Sequence, residues 1–254
     1  MGEHAAPERG ASESGAAAPE VLLQDGLQAL GISTSDEQLS QLLRYLGEIE
    51  RFNPRLGLVE AQGEALVRRH LLDCAAGVPV VRELVAALGE PNRRQRLSGE
   101  SSADAGAEAT PAVTLADLGS GAGLPGVVLA VLEPQLAVTL VERAGRRVGF
   151  LRNVRALLRL TNLEIAETTY ERCSERFDIV TFRALTELGD RNAEIFAGLL
   201  RPGGYLLAYK GRRQRAEVEA EALRGRFNSV ELRSLNPVFL EEERCLVIAH
   251  RAED

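Results

Sequence analysis

Lysine occurs once in this 254-residue chain, at Lys210, against 29 arginines. The bias reads as genome composition, and the single position that keeps a compact ammonium stands out against it. Cysteine is almost as sparse. Cys74, Cys173 and Cys245 lie far apart, are odd in number and have no metal-ligand spacing, so neither a disulfide framework nor a metal site is expected. The three histidines, His4, His70 and His250, are equally scattered. No apolar run is long enough to span a membrane, and the Ala-, Glu- and Ser-rich N-terminus lacks an apolar signal core. A cytoplasmic protein is expected. Positive charge is also short, with a net charge of −7, which argues against a nucleic-acid binder until the charge is located. Residues 1–110 carry 17 acidic and 10 basic side chains, whereas residues 111–254 carry 20 of each. Within that neutral part, the stretch from Arg143 to Arg159 has six arginines and no acid, and a second basic run spans Lys210 to Arg215. Local patches of this kind matter more for phosphate contact than the total does.

What the chain does have is a glycine turn around which the rest is organised. Leu115 to Gly126 reads Leu-Ala-Asp-Leu-Gly-Ser-Gly-Ala-Gly-Leu-Pro-Gly. An apolar, partly β-branched run precedes it and a helix-like apolar run with Pro125 near its start follows, giving strand, turn and helix. Glycines admit positive φ and close approach of a ligand, and a helix N-terminus offers unpaired N–H groups. Two ligands fit the spacing. Gly121, Gly123 and Gly126 satisfy the dinucleotide pattern G-x-G-x-x-G. Asp117, Gly119, Gly121 and Gly123 satisfy D-x-G-x-G-x-G, which resembles motif I of the class I S-adenosylmethionine (AdoMet) methyltransferases.

The chain around this turn divides into a polar, low-complexity tail over 1–20, a small helical subdomain over 21–89, a flexible linker or insertion over 90–111, and a ligand domain over 112–254. Ser35 with Gln38 forms a capping-box pattern ahead of Leu39, Leu42, Leu43, Leu46 and Ile49 at helical spacing. That helix is expected to stop near Asn53-Pro54. Further helices are expected from Ala65 to Cys74 and from Pro79 to Leu88. After residue 112 strands and helices alternate: strands at 113–118, 137–142, 163–167, 177–183 and 205–209, helices at 124–132, 146–160, 187–200 and 214–224. Two closing strands, 228–235 and 244–250, have no helix between them and read as an antiparallel hairpin. The fold class is α/β, a doubly wound, Rossmann-like and mostly parallel sheet. The terminal hairpin favours the class I methyltransferase version over a dehydrogenase.

Taken in order, the motifs resemble the glucose-inhibited division protein B family, bacterial 16S rRNA (guanine-N7) methyltransferases. The matching pieces are Val67-Arg68-Arg69-His70-Leu71-Leu72-Asp73, Asp117 to Gly126, Thr139-Leu140-Val141-Glu142, Gly145-Arg146-Arg147-Val148, Phe150-Leu151-Arg152, Arg183-Ala184, Tyr209-Lys210-Gly211 and Glu242-Glu243-Arg244. They run through about residues 21–250. The chain departs from the family pattern at Gly57-Leu58-Val59, where Asn-Leu-Thr is usual, at Cys74 for Ser, and at Glu142 for Asp. Residues 90–111 also stand as an insertion.

The resemblance implies AdoMet as cofactor and 16S rRNA of the small ribosomal subunit as partner, with no membrane and no metal; a monomer is expected. Cofactor contacts are then expected from Asp117, Gly119, Gly121, Gly123 and Leu124 at the turn. Glu142, with Arg143 and Ala144 beside it, is expected at the ribose, Tyr170 and Glu171 at the adenine, and Arg183 at the end of the fourth strand. Substrate-binding candidates are His70, Asp73, Arg146, Arg147, Lys210, Arg212 and Arg213. His70 and Asp73 share a helix face, and packing is as good a reading of them as substrate contact. Guanine N7 carries an in-plane lone pair and no proton, so no acid or base residue is assigned and alignment should carry the rate. The alternatives are a nicotinamide oxidoreductase using Gly121, Gly123 and Gly126, and a non-catalytic ribosome-binding module on a methyltransferase fold.

Overall fold

The computed structural model describes residues 18–97, 113–235, 239–240 and 242–253, the side chains of residues 90–97 excepted. Expectations for residues 1–17 and 98–111 lie outside the described residues. The chain starts with helices α1 (Pro19–Ala29) and α2 (Asp36–Leu56). The α2 N-terminus has the capping box its sequence spells: Gln38 N–H donates to Ser35 Oγ, and the Ser35 N–H donates to Gln38 Oε1. Pro54 does not stop the helix as expected. It lies inside the last turn, and Gly57, in the left-handed region at φ 55°, ends it by donating to Asn53 O. Next come α3 (Glu64–Leu66), a π-helical turn (Val67–Leu72) and α4 (Asp73–Ala75), which together form one distorted helix. Helix α5 (Val78–Leu97) continues past Leu88, its expected end, into the stretch read as a linker.

Strands and helices then alternate: β1 (Thr114–Leu118), α6 (Gly126–Leu132), β2 (Ala137–Glu142), α7 (Gly145–Leu158), β3 (Leu163–Glu167), β4 (Phe177–Arg183), α8 (Asp190–Leu199), β5 (Leu200–Lys210), α9 (Arg213–Glu221), β6 (Ser229–Leu235) and β7 (Arg244–His250). A short 3-10 turn, Tyr170–Arg172, follows β3. The seven strands order as β3-β2-β1-β4-β5-β7-β6, parallel from β3 to β5 and antiparallel at β5–β7 and β7–β6. The expected sheet and its terminal hairpin are both present. Strand β5 is longer than expected. Pro202 and the two glycines after it do not precede it but sit inside it, where the pairing with β4 slips between Phe177 and Ile179.

The helices before β1 do not form a separate core. Leu23, Leu27, Leu42, Ile49, Leu72 and Val81 are fully buried in one cluster with Leu129, Leu140, Leu207 and Ile248, so they cover one face of the sheet. Each such side chain contributes on the order of 1.5–3 kcal/mol of burial. The uniformly apolar α6 is buried on every side, sandwiched there. The other face packs Leu118, Phe182, Phe196, Leu206 and Phe227. Helix α7 turns Val148, Leu151, Val154 and Leu158 inward, as its periodicity requires. Strand order reverses between β2-β1 and β4, so a crevice opens outside the carboxyl ends of β1 and β4.

Candidate functional site

The glycine turn sits in that crevice. Gly119, Gly121 and Gly123 have φ of 61°, 58° and 93°, a conformation that side chains with a Cβ rarely adopt. Gly126 is needed for closeness instead: a Cβ there would lie 2.3 Å from Leu140 and 2.8 Å from Asp117 Oδ2. That oxygen accepts the Gly126 N–H at 2.8 Å. Asp117 Oδ1 is fully buried and has no hydrogen-bond partner among the described residues. Burial pushes the Asp117 carboxyl up to about 7, against the pull of the Gly126 N–H. Glu142, at the end of β2, is also buried and grips the turn: Oε2 accepts the Gly121 N–H at 2.9 Å and Oε1 the Ala144 N–H at 2.8 Å. Each oxygen keeps a second lone pair for a ligand hydroxyl. Leu124 is buried beneath the turn.

Two supports of the turn escaped the sequence reading. Tyr45 of α2 is fully buried and donates its hydroxyl to Ala122 O at 2.7 Å. It sits on the helix's apolar stripe, three residues after Leu42, so its pattern reads as core. Leu185, two residues past β4, packs directly over Gly119, where a Cβ would lie 2.3 Å from it. Tyr170 stands in the 3-10 turn after β3, tilted against Phe196 with ring centroids 5.9 Å apart, and Glu171 beside it is exposed.

A second group of residues forms a cleft of about 1020 Å³ at the carboxyl ends of β4 and β5, lined in part by His70, Asp73, Arg183, Tyr209, Lys210 and Arg244. The distorted helix supplies its far wall. π-Helical turns concentrate at functional sites, and this one carries His70 to Arg183. Arg183 Nη2 and His70 Nδ1 are 2.7 Å apart, while Arg183 Nη1 donates to Asp73 Oδ2 and to Arg69 O, both at 3.1 Å. Asp73 Oδ1 accepts from Arg244 Nε at 3.0 Å, so one buried carboxylate is clamped between two guanidiniums. Burial and the neighbouring Arg183 hold His70 down at about 4. The ring is therefore neutral, Nδ1 accepts from Arg183, and the proton is on Nε2. Tyr209 ties the same helix from the sheet side, donating its hydroxyl to Cys74 O at 3.0 Å. His70 and Asp73 are thus brought together with Arg183; Arg244, which matters equally here, stands out in the sequence only as part of a motif.

Lys210 lines the cleft without a free ammonium. Its Nζ donates to Glu219 Oε2 at 2.5 Å and to Thr186 O at 3.1 Å, above the Phe182 ring. The basic runs divide similarly. Arg213 is held by Glu217 and Ser234, and Arg215 by Glu187. Arg152 and Arg155 pair with Glu167 and Glu164 of β3. Arg143 and Arg146 at the start of α7 are exposed, as is Arg212, and none has an ion-pair partner among the described residues. Arg147 is half-buried beside them, its Nη1 4.0 Å from where a Gly121 Cβ would stand. Among the described residues no group of three or more His, Cys, Asp or Glu side chains could hold a metal ion, and no helix is long and apolar enough to cross a membrane.

Comparison with known proteins agrees with this architecture. The family model described as GidB, rRNA small subunit methyltransferase G, matches residues 102–247. Ribosomal RNA small subunit methyltransferase G of Xanthomonas oryzae pv. oryzae (strain MAFF 311018) is 37% identical over 242 residues, covering 93% of this chain and 98% of the relative. The protein of the same name from Polaromonas naphthalenivorans (strain CJ2) is 33% identical over 226 residues, covering 89% of this chain and 92% of the relative. That from Treponema pallidum subsp. pallidum is 34% identical over 236 residues, covering 90% of this chain and 93% of the relative.

Proposed function

The chain belongs to the GidB family of rRNA small subunit methyltransferases, and from that premise we propose that it transfers a methyl group from AdoMet to guanine N7 in small-subunit (16S) ribosomal RNA. The charge state of the cleft carries the reading. Its buried carboxylates are engaged by cations, Asp73 by Arg183 and Arg244 and Glu219 by Lys210, and the third lining carboxylate, Glu187, is exposed to solvent beside Arg215. Its one histidine is neutral with its acceptor nitrogen already used. Such a cleft is rich in donors, and none of its buried acids or its histidine is a free base. An exocyclic amine or a hydroxyl must lose a proton when methylated, whereas guanine N7 attacks through a lone pair and has no proton to lose. The chemistry then reduces to alignment.

The glycine turn fits AdoMet better than a dinucleotide. Two buried carboxylates, Asp117 and Glu142, face it. Glu142 at the end of β2 would serve the ribose of either ligand, whereas Asp117, buried with Oδ1 unpartnered among the described residues, suits a ligand with a cationic group rather than a pyrophosphate. Asp117, holding the turn through Gly126, would reach the ligand's ammonium through water, and Glu142 would take its ribose hydroxyls, with Tyr170 and Glu171 beside the adenine. When bound, AdoMet supplies an electrophilic methyl on a sulfonium. Arg183 at the junction of turn and cleft holds the wall against which the guanine is aligned, and His70 Nε2–H is a donor available to the base. Beside the turn and the cleft, Arg143, Arg146, Arg147 and Arg212 are guanidiniums free for phosphates. The enzyme is read as a cytoplasmic monomer acting on a guanine splayed from folded RNA.

The test is methylation of 16S rRNA with methyl-labelled AdoMet, followed by chemical cleavage at N7-methylguanine and mass mapping. Label at an exocyclic amine or a ribose hydroxyl would overturn the reading. A titration showing NAD binding in preference to AdoMet would overturn the assignment of the turn.

A further inference from the structure

Lys210 looks like an RNA contact: it is the chain's one lysine and sits in a basic run at the rim of the cleft. Its surroundings engage it elsewhere. The side chain is only 12% exposed, and its ammonium is spent on Glu219 and on the carbonyl of Thr186. Thr186 belongs to the loop 184–189 that joins β4 to α8. Glu219 reaches the same loop independently, its Oε2 accepting the Leu188 N–H at 2.9 Å. Lys210 from β5 and Glu219 from α9 therefore hold the loop at Thr186 and Leu188. On the opposite side Asn192 donates to Thr186 Oγ1 and Glu187 O. The loop leaves β4 through Ala184, which takes the left-handed conformation at φ 53° and turns the chain back. Leu185, between the turn and the clamped residues, is thereby laid over Gly119.

We propose that Lys210 and Glu219 are positioning residues that clamp the 184–189 loop so that Leu185 forms an apolar wall over the cofactor turn, and that Lys210 does not contact RNA. The inference rests on AdoMet occupying that turn. A compact ammonium explains the choice of residue, since it can serve a carboxylate and a carbonyl at once within a narrow space beside Phe182, where a planar guanidinium presents a wide fork. Leu185 packed over Gly119 sets an apolar side chain against the turn and so excludes water from that side of it. If the clamp is released, the closed loop becomes a fraction of the population and apparent AdoMet affinity falls by that fraction.

Lys210→Met keeps the stem and removes the ammonium; Glu219→Gln keeps the shape and removes the charge. Calorimetry should show AdoMet binding weakened about tenfold or more in both, Glu219→Gln losing the charge of one bond and Lys210→Met losing two, to Glu219 and to Thr186 O. Hydrogen exchange at residues 185–188 should accelerate in both. The slope of 16S rRNA affinity against salt should match wild type. An RNA-contacting lysine predicts the opposite pattern: Lys210→Met would flatten the salt slope with AdoMet affinity unchanged, and Glu219→Gln would free a cation and strengthen RNA binding. Either of those results overturns the proposal. If Lys210→Met does not fold, Glu219→Gln decides alone, because only an RNA-contacting lysine predicts a gain in RNA affinity and an unchanged AdoMet affinity for it. Wild-type protein that fails to bind AdoMet would instead refute the assignment of the turn itself.

Discussion

Replacing Asp73 with alanine tests whether the cleft is held shut by charge. The carboxylate is 3% exposed and joins α4 to both β4 and β7, through Arg183 at 3.1 Å and Arg244 at 3.0 Å. Breaking a buried pair by removing one partner costs roughly 3–5 kcal/mol when the remaining charge has nowhere to turn. Here each arginine has somewhere. Arg183 keeps Arg69 O and His70 Nδ1, Arg244 keeps Glu243 O, and their side chains are 18% and 22% exposed, enough for water to reach them. The expected loss is therefore about 2–3 kcal/mol, which at about 2–4 °C per kcal/mol for a chain of this size lowers Tm by about 4–12 °C. Urea denaturation with an unchanged m-value is the assay. A loss below about 1 kcal/mol would refute the reasoning, since it would show that the two guanidiniums stay in place without their anion. A cycle with Arg244→Ala should give a coupling on the order of 1 kcal/mol or more, because the two groups are in direct contact.

Two further outcomes follow from the same geometry. His70 titrates at about 4 in the folded protein against an ordinary 6.5, so between those values the unfolded chain binds more protons and stability is lost as pH falls. With the ring part-exposed, the loss from pH 6.5 to 4 should be about 1–2 kcal/mol after solvent screening; in His70→Gln, whose amide oxygen can still accept from Arg183, a denaturation series over that range should be flatter, and an unchanged slope would assign the effect elsewhere. Replacing Arg146 and Arg212 together with alanine should reduce the slope of log RNA affinity against log salt by about 0.7–0.9 for each arginine that meets a phosphate, while AdoMet affinity measured by calorimetry stays near wild type; coincident salt series for the two proteins would put the RNA elsewhere.

Most of the sheet was legible because its signals are local. The Asp117-led glycine turn, the alternation of apolar strands with helices, and the helix-free connection before residue 244 each follow from neighbouring residues. The boundaries that slipped did so where tertiary packing overrode a local breaker. Pro54 stays helical because it lies in the last turn, where Gly57 takes over the capping, and Pro202 stays in a strand because β4 absorbs it with a register shift. The site was legible at the turn and much less so at the cleft. Asp73 with Arg244 and Lys210 with Glu219 are separated by 171 and 9 residues, and nothing in the sequence announces either pairing. The basic run 210–215 is divided for the same reason: Lys210, Arg213 and Arg215 pair with Glu219, Glu217 and Glu187, which fall outside the run, and Arg212 alone of its cations has no ion-pair partner among the described residues.

The helices before β1 emerge as half of the site rather than an attachment to it. Their apolar side chains share the main core, but that alone would let them serve as a lid of any shape. Their polar bonds are more selective. Tyr45 fixes the middle of the glycine turn, His70 and Asp73 fix Arg183 and Arg244, and Cys74 O receives Tyr209. All of these partners lie at one edge of the sheet, where β1, β4 and β5 end and β7 begins. A buried polar group needs its partner, so each bond penalises any sliding of the helices along that face. The π-helical turn follows from this demand. It sets His70 against Arg183 while Asp73, three residues on, reaches both Arg183 and Arg244. The sheet brings the glycine turn, the helices bring the opposing wall, and their joint register sets the buried Asp73 between Arg183 and Arg244 in the cleft they enclose.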